Sequence, residues 1–290
     1  MVFSSLPFLF LFLTVVLLVS HLLPFKFRNF FLLLANLVFY AYGEPVYVLI
    51  MIASILVNFF AGVLMDKQPT QSRRRAVLVV GIVLNLAALG VFKYAGLFVD
   101  TLRGIPAFSS LPEVNIALPI GISFYTFQAV SYLIDVYWDD CEASHNFVNF
   151  ACYISLFPQL IAGPIVRYRD VNEQLVSRHE TPTLFNSGVR LFMVGMAKKV
   201  LLANQLSGLW QKVGAIGYES ISTPFAWLGL IAFTFQIYFD FYGYSLMAVG
   251  LGRLLGFHLP ENFHYPYMAC SMTEFWRRWH MTLGSWFRDY

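Results

Sequence analysis

Apolar runs on the scale of a lipid bilayer dominate this sequence and restrict what it can fold into. They occupy residues 6–24, 46–65, 76–99, 116–134, 147–165, 184–206 and 225–251, with a shorter stretch at 30–42. A hydrocarbon core of about 30 Å needs roughly 20 apolar residues per helix, so these runs read as helices in lipid. What remains could not clothe a water-facing surface. Charged residues make up 12% of the chain and hydrophobic ones 58%, where soluble domains carry roughly 25% and 45–50%. The sequence therefore predicts an all-α, polytopic membrane protein with about seven or eight spanning or re-entrant helices. No internal repeat or low-complexity linker interrupts it, so residues 1–290 read as a single membrane domain.

Several function classes are excluded early. A net charge of +3, with no basic tract interleaved with aromatics, argues against nucleic-acid binding. Cys141, Cys152 and Cys270 are widely spaced and lack a C-x-x-C pairing, so they read as small apolar fillers rather than a disulfide framework or zinc site. The histidines form no H-x-x-x-H pattern, and no metal site is expected. No Lys or Arg precedes the first apolar run and no small-residue cleavage pattern follows it, which favours a retained span over a removable signal peptide.

Orientation follows from Lys and Arg in short loops. Lys67, Arg73, Arg74 and Arg75 place the loop at 66–75 in the cytoplasm; Lys26 and Arg28 then also fall inside, and the N-terminus outside. The loop at 100–115, with a single Arg103, falls outside, and the acidic loop at 135–144 inside. Residues 147–165 break this alternation, because Arg167, Arg169 and Arg178 follow them and also favour the cytoplasm. Two loops on one side of the membrane imply a re-entrant hairpin, with Pro158, Gly163 and Pro164 supplying the breaks. Non-helical backbone at that depth survives only inside protein or beside a wet cavity. Residues 184–206 contain Arg190, Lys198 and Lys199; they either span with snorkelling lysines or lie along the interface.

Ionisable residues inside spans mark functional sites or buried pairings. Gln236, Asp240 and Tyr244 recur at helical spacing beside Gly243, as either interhelical hydrogen-bonding groups or the lining of a cavity. A weaker stripe runs through Gln128, Ser131 or Tyr132, and Asp135, with Asp135 expected at the membrane edge. The most informative stretch is S-M-T-E-F-W-R-R-W-H-M-T-L-G-S-W-F-R-D-Y at 271–290. As one helix it would place Thr273, Trp276, His280 and Leu283 on a face and pair Glu274 with Arg278. Such a helix suits the interface. It equally suits a site where Arg277 and Arg278 hold an anionic donor and Trp279 stacks on a flat ring. His280 could then remove a hydroxyl proton during acyl transfer, or simply hydrogen-bond its neighbours.

The motifs M-V-F-S-S (1–5), F-K-Y (92–94), L-P-I-G-I-S-F-Y (118–125), F-P-Q-L-I-A-G-P-I (157–165), Q-I-Y-F-D-F-Y-G-Y-S (236–245), E-N-F (261–263), P-Y (266–267) and E-F-W-R-R-W-H-M-T-L (274–283) run through the whole chain. Together they resemble the membrane-bound O-acyltransferase family, in particular its bacterial branch that acetylates exported polysaccharides such as alginate. The resemblance implies an enzyme of the bacterial cytoplasmic membrane, with helices around a central funnel. It implies acetyl transfer from a cytoplasmic donor, acetyl-CoA, with no bound cofactor, to a periplasmic or extracellular acceptor protein or polysaccharide. His280 matches the first of the family's two signature histidines. Tyr242 and Leu246 depart from the family's F-D-F-S-G-Y-S-D pattern. The second histidine, usually taken as catalytic, belongs to an apolar helix beyond this motif, so a product ending at Tyr290 is expected to be truncated and inactive alone. D-alanyl transfer to teichoic acid, or a non-enzymatic transporter of a glycan or acyl carrier, are the competing readings.

Overall fold

The computed structural model describes residues 2–113, 116–217 and 220–290. Met1 of the first motif, and Val114 and Asn115 of the loop expected outside, lie outside the described residues. Among those residues the fold is all-helical. In chain order the helices are α1 (Pro7–Leu22, π-helical over Pro7–Leu13), α2 (Phe25–Gly43), α3 (Val48–Asp66), α4 (Gln71–Arg103), α5 (Ile122–Tyr137), α6 (Phe147–Ser155) and α7 (Phe157–Leu160). They continue as α8 (Tyr168–Val176), α9 (Pro182–Ala197), α10 (Asn204–Ile216), α11 (Thr223–Leu254), α12 (Met272–Arg278) and α13 (Met281–Asp289). By length and composition α3, α4 and α11 are able to cross a membrane. The chain folds into two compact units.

One unit comprises Pro24–Ile161, Arg167–Val176 and Tyr290. Arg74, in the first turn of α4, donates to Asp139 at 2.6 Å and to the Val136 carbonyl at 2.8 Å, while His145 lies 3.2 Å from Asp66. The loops at 66–75 and 135–144 therefore share one end of this unit, as their assignment to one side of the membrane requires. The stretch at 147–165 is not one helix. α6 stops at Ser155, Leu156 is non-helical (φ −55, ψ 108), and only the single turn of α7 follows. Asp140, ahead of α6, accepts from Arg169, after the break, at 2.9 Å. The chain thus returns to the end from which it set out. Asn36 on α2 accepts from the Phe157 amide at 3.1 Å, satisfying a donor that the break exposes. Asn58 and Asn85 clamp α3 to α4 through a reciprocal amide pair at 2.7 and 3.1 Å.

The other unit comprises Met1–Leu23, Ala162–Val166 and Ser177–Asp289. Its centre is the pairing of α9 with α11. A Cβ at Gly195 would come within 2.6 Å of the Gly243 carbonyl, and one at Gly250 within 2.7 Å of the Gly188 carbonyl, so the two backbones touch directly at both ends of an antiparallel crossing. Helical conformation continues from α9 through a π-helical segment, Lys198–Ala203, into α10. The stretch at 184–206 thus packs along α11 rather than standing apart from it. Its lysines meet partners on α11. Lys199 pairs with Asp240, and the Lys198 ammonium sits 4.9 Å from the Tyr242 ring centre. Of the cysteines, Cys152 is buried as expected of a filler, whereas Cys270 is exposed.

Candidate active site around His280

The segment at 271–290 is two helices rather than one. Ser271 caps α12 by accepting from the Glu274 amide at 3.1 Å, and Glu274 in turn accepts from the Cys270 amide at 2.8 Å and from Arg278 at 2.5 Å, a relative of the capping box in which the carboxylate reaches the amide one residue before the cap. The expected Glu274–Arg278 pair is therefore present. The shared face of Thr273, Trp276, His280 and Leu283 is not, because Trp279 is extended and His280 lies at φ +45 before α13 begins. A non-glycine residue in the left-handed region costs about 1–3 kcal/mol and persists only where its surroundings fix it.

Those surroundings are the E-N-F loop. The His264 amide donates to the Arg278 carbonyl and the Met281 amide to the Asn262 carbonyl, at 3.0 and 2.9 Å, bracketing His280 on both sides. Asn262, 2% exposed, turns its Oδ1 toward the break. It accepts from His280 Nδ1 at 3.0 Å, from Thr282 Oγ1 at 2.9 Å and from the Thr282 amide at 3.3 Å. Thr282 Oγ1 accepts in turn from the Ile165 amide at 3.0 Å, tying the G-P-I motif to the histidine motif. An amide oxygen only accepts, so Nδ1 carries the imidazole proton and Nε2 keeps its lone pair. Burial pushes the His280 pKa down to about 4, which holds the ring neutral. Phe241 meets it edge-on at 4.8 Å.

If His280 acts as a base, its neutral form is the active one. The acid limb of the pH–rate profile is then expected near pH 4, well below the ordinary imidazole value of about 6.5. An acid limb at the ordinary value contradicts this assignment.

An open cleft lies against the same two helices, lined by Thr273, Trp276 and Arg277 of α12 and by Thr282, Ser285 and Arg288 of α13, among others. Arg277 is exposed and has no partner among the described residues. The sequence placed Arg277, Arg278 and Trp279 at a donor site; the cleft takes Arg277, while Arg278 is engaged by Glu274. Trp279 is stacked on Phe275 at 5.7 Å, and Trp276 and Arg288 stand in the cleft wall instead. His280 itself is not in the lining.

The stripe on α11 is not brought to His280. Asp240 faces Lys199, and Tyr244 stacks on Phe3 at 4.6 Å with its hydroxyl buried and unpaired. Gln236 is half-buried one turn away. Phe241, on another face of α11, is the residue that meets the imidazole. Sequence reasoning missed Asn262 as a site residue. Its only signal was membership of the E-N-F motif, since an asparagine in a loop otherwise reads as a turn former.

The sequence profile of the membrane-bound O-acyltransferase family matches residues 142–290. The chain is 45% identical to the probable alginate O-acetylase AlgI of Pseudomonas aeruginosa, over all of this chain and 56% of that protein. It is 32% identical to the peptidoglycan O-acetyltransferase of Helicobacter pylori, over 91% of this chain and 55% of that protein. The teichoic acid D-alanyltransferase of Bacillus subtilis is 28% identical over 62% of this chain. The chain spans about half the length of the curated relatives it matches.

Proposed function

The chain belongs to the membrane-bound O-acyltransferase family, and from that premise we propose that it passes an acetyl group from a cytoplasmic thioester, acetyl-CoA, to a hydroxyl of an exported polysaccharide. The observation that carries this reading is the hydrogen bond from His280 Nδ1 to Asn262 Oδ1 in the middle of the histidine motif. It leaves Nε2 free to accept a proton from the acceptor hydroxyl as the oxygen attacks the thioester carbonyl. The C–O bond forms, the C–S bond breaks, and the proton passes from the imidazole to the departing sulfur. Arg277, and Arg288 through the donors that its bond to Asp289 leaves open, offer charge for the donor's phosphates, and Trp276 a face for its ring. Two relatives named for O-acetylation of alginate and of peptidoglycan support a glycan as final acceptor, reached directly or through a periplasmic or extracellular partner protein.

This function sets a topology. The N-terminus lies outside the cytoplasmic membrane, the loops at 66–75 and 135–144 lie inside, and α6 and α7 re-enter without crossing. The helical run from Pro182 to Ile216 spans beside α11, giving about seven or eight spanning or re-entrant helices around a funnel.

Acetyl-labelled acetyl-CoA supplied to membrane vesicles bearing the protein as its gene encodes it, with polysaccharide present, tests the proposal. Alkali-labile label on the polysaccharide is expected. Movement of the glycan across the vesicle membrane with no ester label would instead mark a transporter.

A further inference from the structure

Away from His280, the unit built on α2 to α8 holds a set of polar atoms that the acyl-transfer reading does not use. Buried polar groups are almost always hydrogen-bonded, to protein or to ordered water. On one face of α5, Tyr125, Gln128 and Asp135 are each at most 2% exposed. Yet the Tyr125 hydroxyl, both amide atoms of Gln128 and Asp135 Oδ2 have no protein partner. Two packed neighbours add the Tyr40 hydroxyl of α2 and Gln159 Oε1 of α7.

These groups belong together. Tyr40 and Tyr125 lie close enough to interact electrostatically, as do Asp135 and Tyr153. Gln159 Nε2 donates to the Tyr153 carbonyl at 2.5 Å. The Leu160 carbonyl presses on Gly121, where a Cβ would meet it at 2.4 Å, which sets the hairpin against the start of α5. Tyr125 to Asp135 covers roughly 15 Å of helix. Left dry, each atom would carry its full desolvation penalty, and a marginally stable chain does not sustain several at once.

We propose that a file of bound water runs along this face of α5, from Tyr40 and Tyr125 past Gln128 and Gln159 to Asp135. Amide and hydroxyl groups hold it along its length, and the Asp135 carboxylate stands at its mouth. It opens at Asp135, where Arg169 and Asp140 have side chains 29% and 45% exposed, and ends at the depth of the hairpin turn. Tyr290 Oη donates to Asp135 Oδ1 at 2.7 Å and Arg169 sits 3.5 Å from the same atom; Oδ2 is therefore the oxygen left for water. The inference does not depend on the acyl-transfer reading.

X-ray radiolytic labelling of the wild-type protein in lipid nanodiscs tests it, because radicals formed from bound water oxidise adjacent side chains whatever their access to bulk solvent. Tyr40 and Tyr125 are expected to be oxidised at rates approaching that of Tyr94, which is 50% exposed, while Phe150, fully buried, stays unmodified. A second readout is thermal unfolding of Gln128→Met, expected several degrees below wild type because the water loses its partner. Tyr40 and Tyr125 as inert as Phe150, or a melting point raised by Gln128→Met, overturns the proposal.

Discussion

Gly250→Leu is expected to leave little folded protein. A Cβ at Gly250 would lie 2.7 Å from the Gly188 carbonyl, 2.7 Å from the Phe192 amide and 3.1 Å from its Cα. All three are backbone atoms of α9, which no rotamer change can move aside. The helices would have to part along their length, losing the close approach that drives helix association where lipid offers no hydrophobic gain. Overpacking typically costs about 1–3 kcal/mol; contact with three backbone atoms puts this substitution at or above the top of that range, a large share of a stability of about 5–15 kcal/mol. Gly90→Ala is the matched control. Nothing lies within 4 Å of its Cβ position on α4, and the helix should gain about 0.5–1 kcal/mol. Size-exclusion profiles and thermal scans in detergent check both; a Gly250→Leu protein that melts with wild type contradicts the packing account.

The second large effect concerns Asn262. Its Oδ1 serves three donors within a site that is almost wholly buried. Asn262→Leu strands His280 Nδ1, the Thr282 hydroxyl and the Thr282 amide at once, at roughly 1–3 kcal/mol for each buried donor left unmet. The left-handed backbone at His280 would relax and the imidazole would lose its fixed tautomer. Acetyl transfer is expected to fall by roughly 10²-fold or more, together with stability. Asn262→Asp separates the two effects. It keeps an acceptor for all three donors, so the fold should survive, while its charge favours the imidazolium and should carry the acid limb of the pH–rate profile upward. An unmoved pH profile in Asn262→Asp is incompatible with Asn262 acting on His280.

Much of the architecture was legible because lipid leaves few choices. α3, α4 and α11 follow from apolar length alone, and the hairpin at 147–165 from arginines that follow it on the same side as the loop before it. The glycine crossing was only faintly legible: Gly243 stands beside the polar stripe, and the seven-residue spacing of Gly188 to Gly195 repeats from Gly243 to Gly250. What the sequence hid were tertiary decisions. Nothing local, neither Pro nor Gly, announces the break at Trp279 and His280. It is imposed by the E-N-F loop bonding to the backbone on either side. Asp135 looked like an edge residue because its partner, Tyr290, lies 155 positions away. Asp240 reads as either a hydrogen-bonding group between helices or a cavity group, and Lys199, from the π-helical segment after α9, is the partner that its spacing could not name.

The central claim is that His280 handles the proton of the acyl-transfer step. It is tested most directly by comparing acetyl transfer at neutral pH by wild-type and His280→Gln protein, matched for folded amount, in the same vesicle preparation. A loss of roughly 10²–10⁴-fold with the donor still bound is the predicted result. Transfer by His280→Gln within a few-fold of wild type would contradict it.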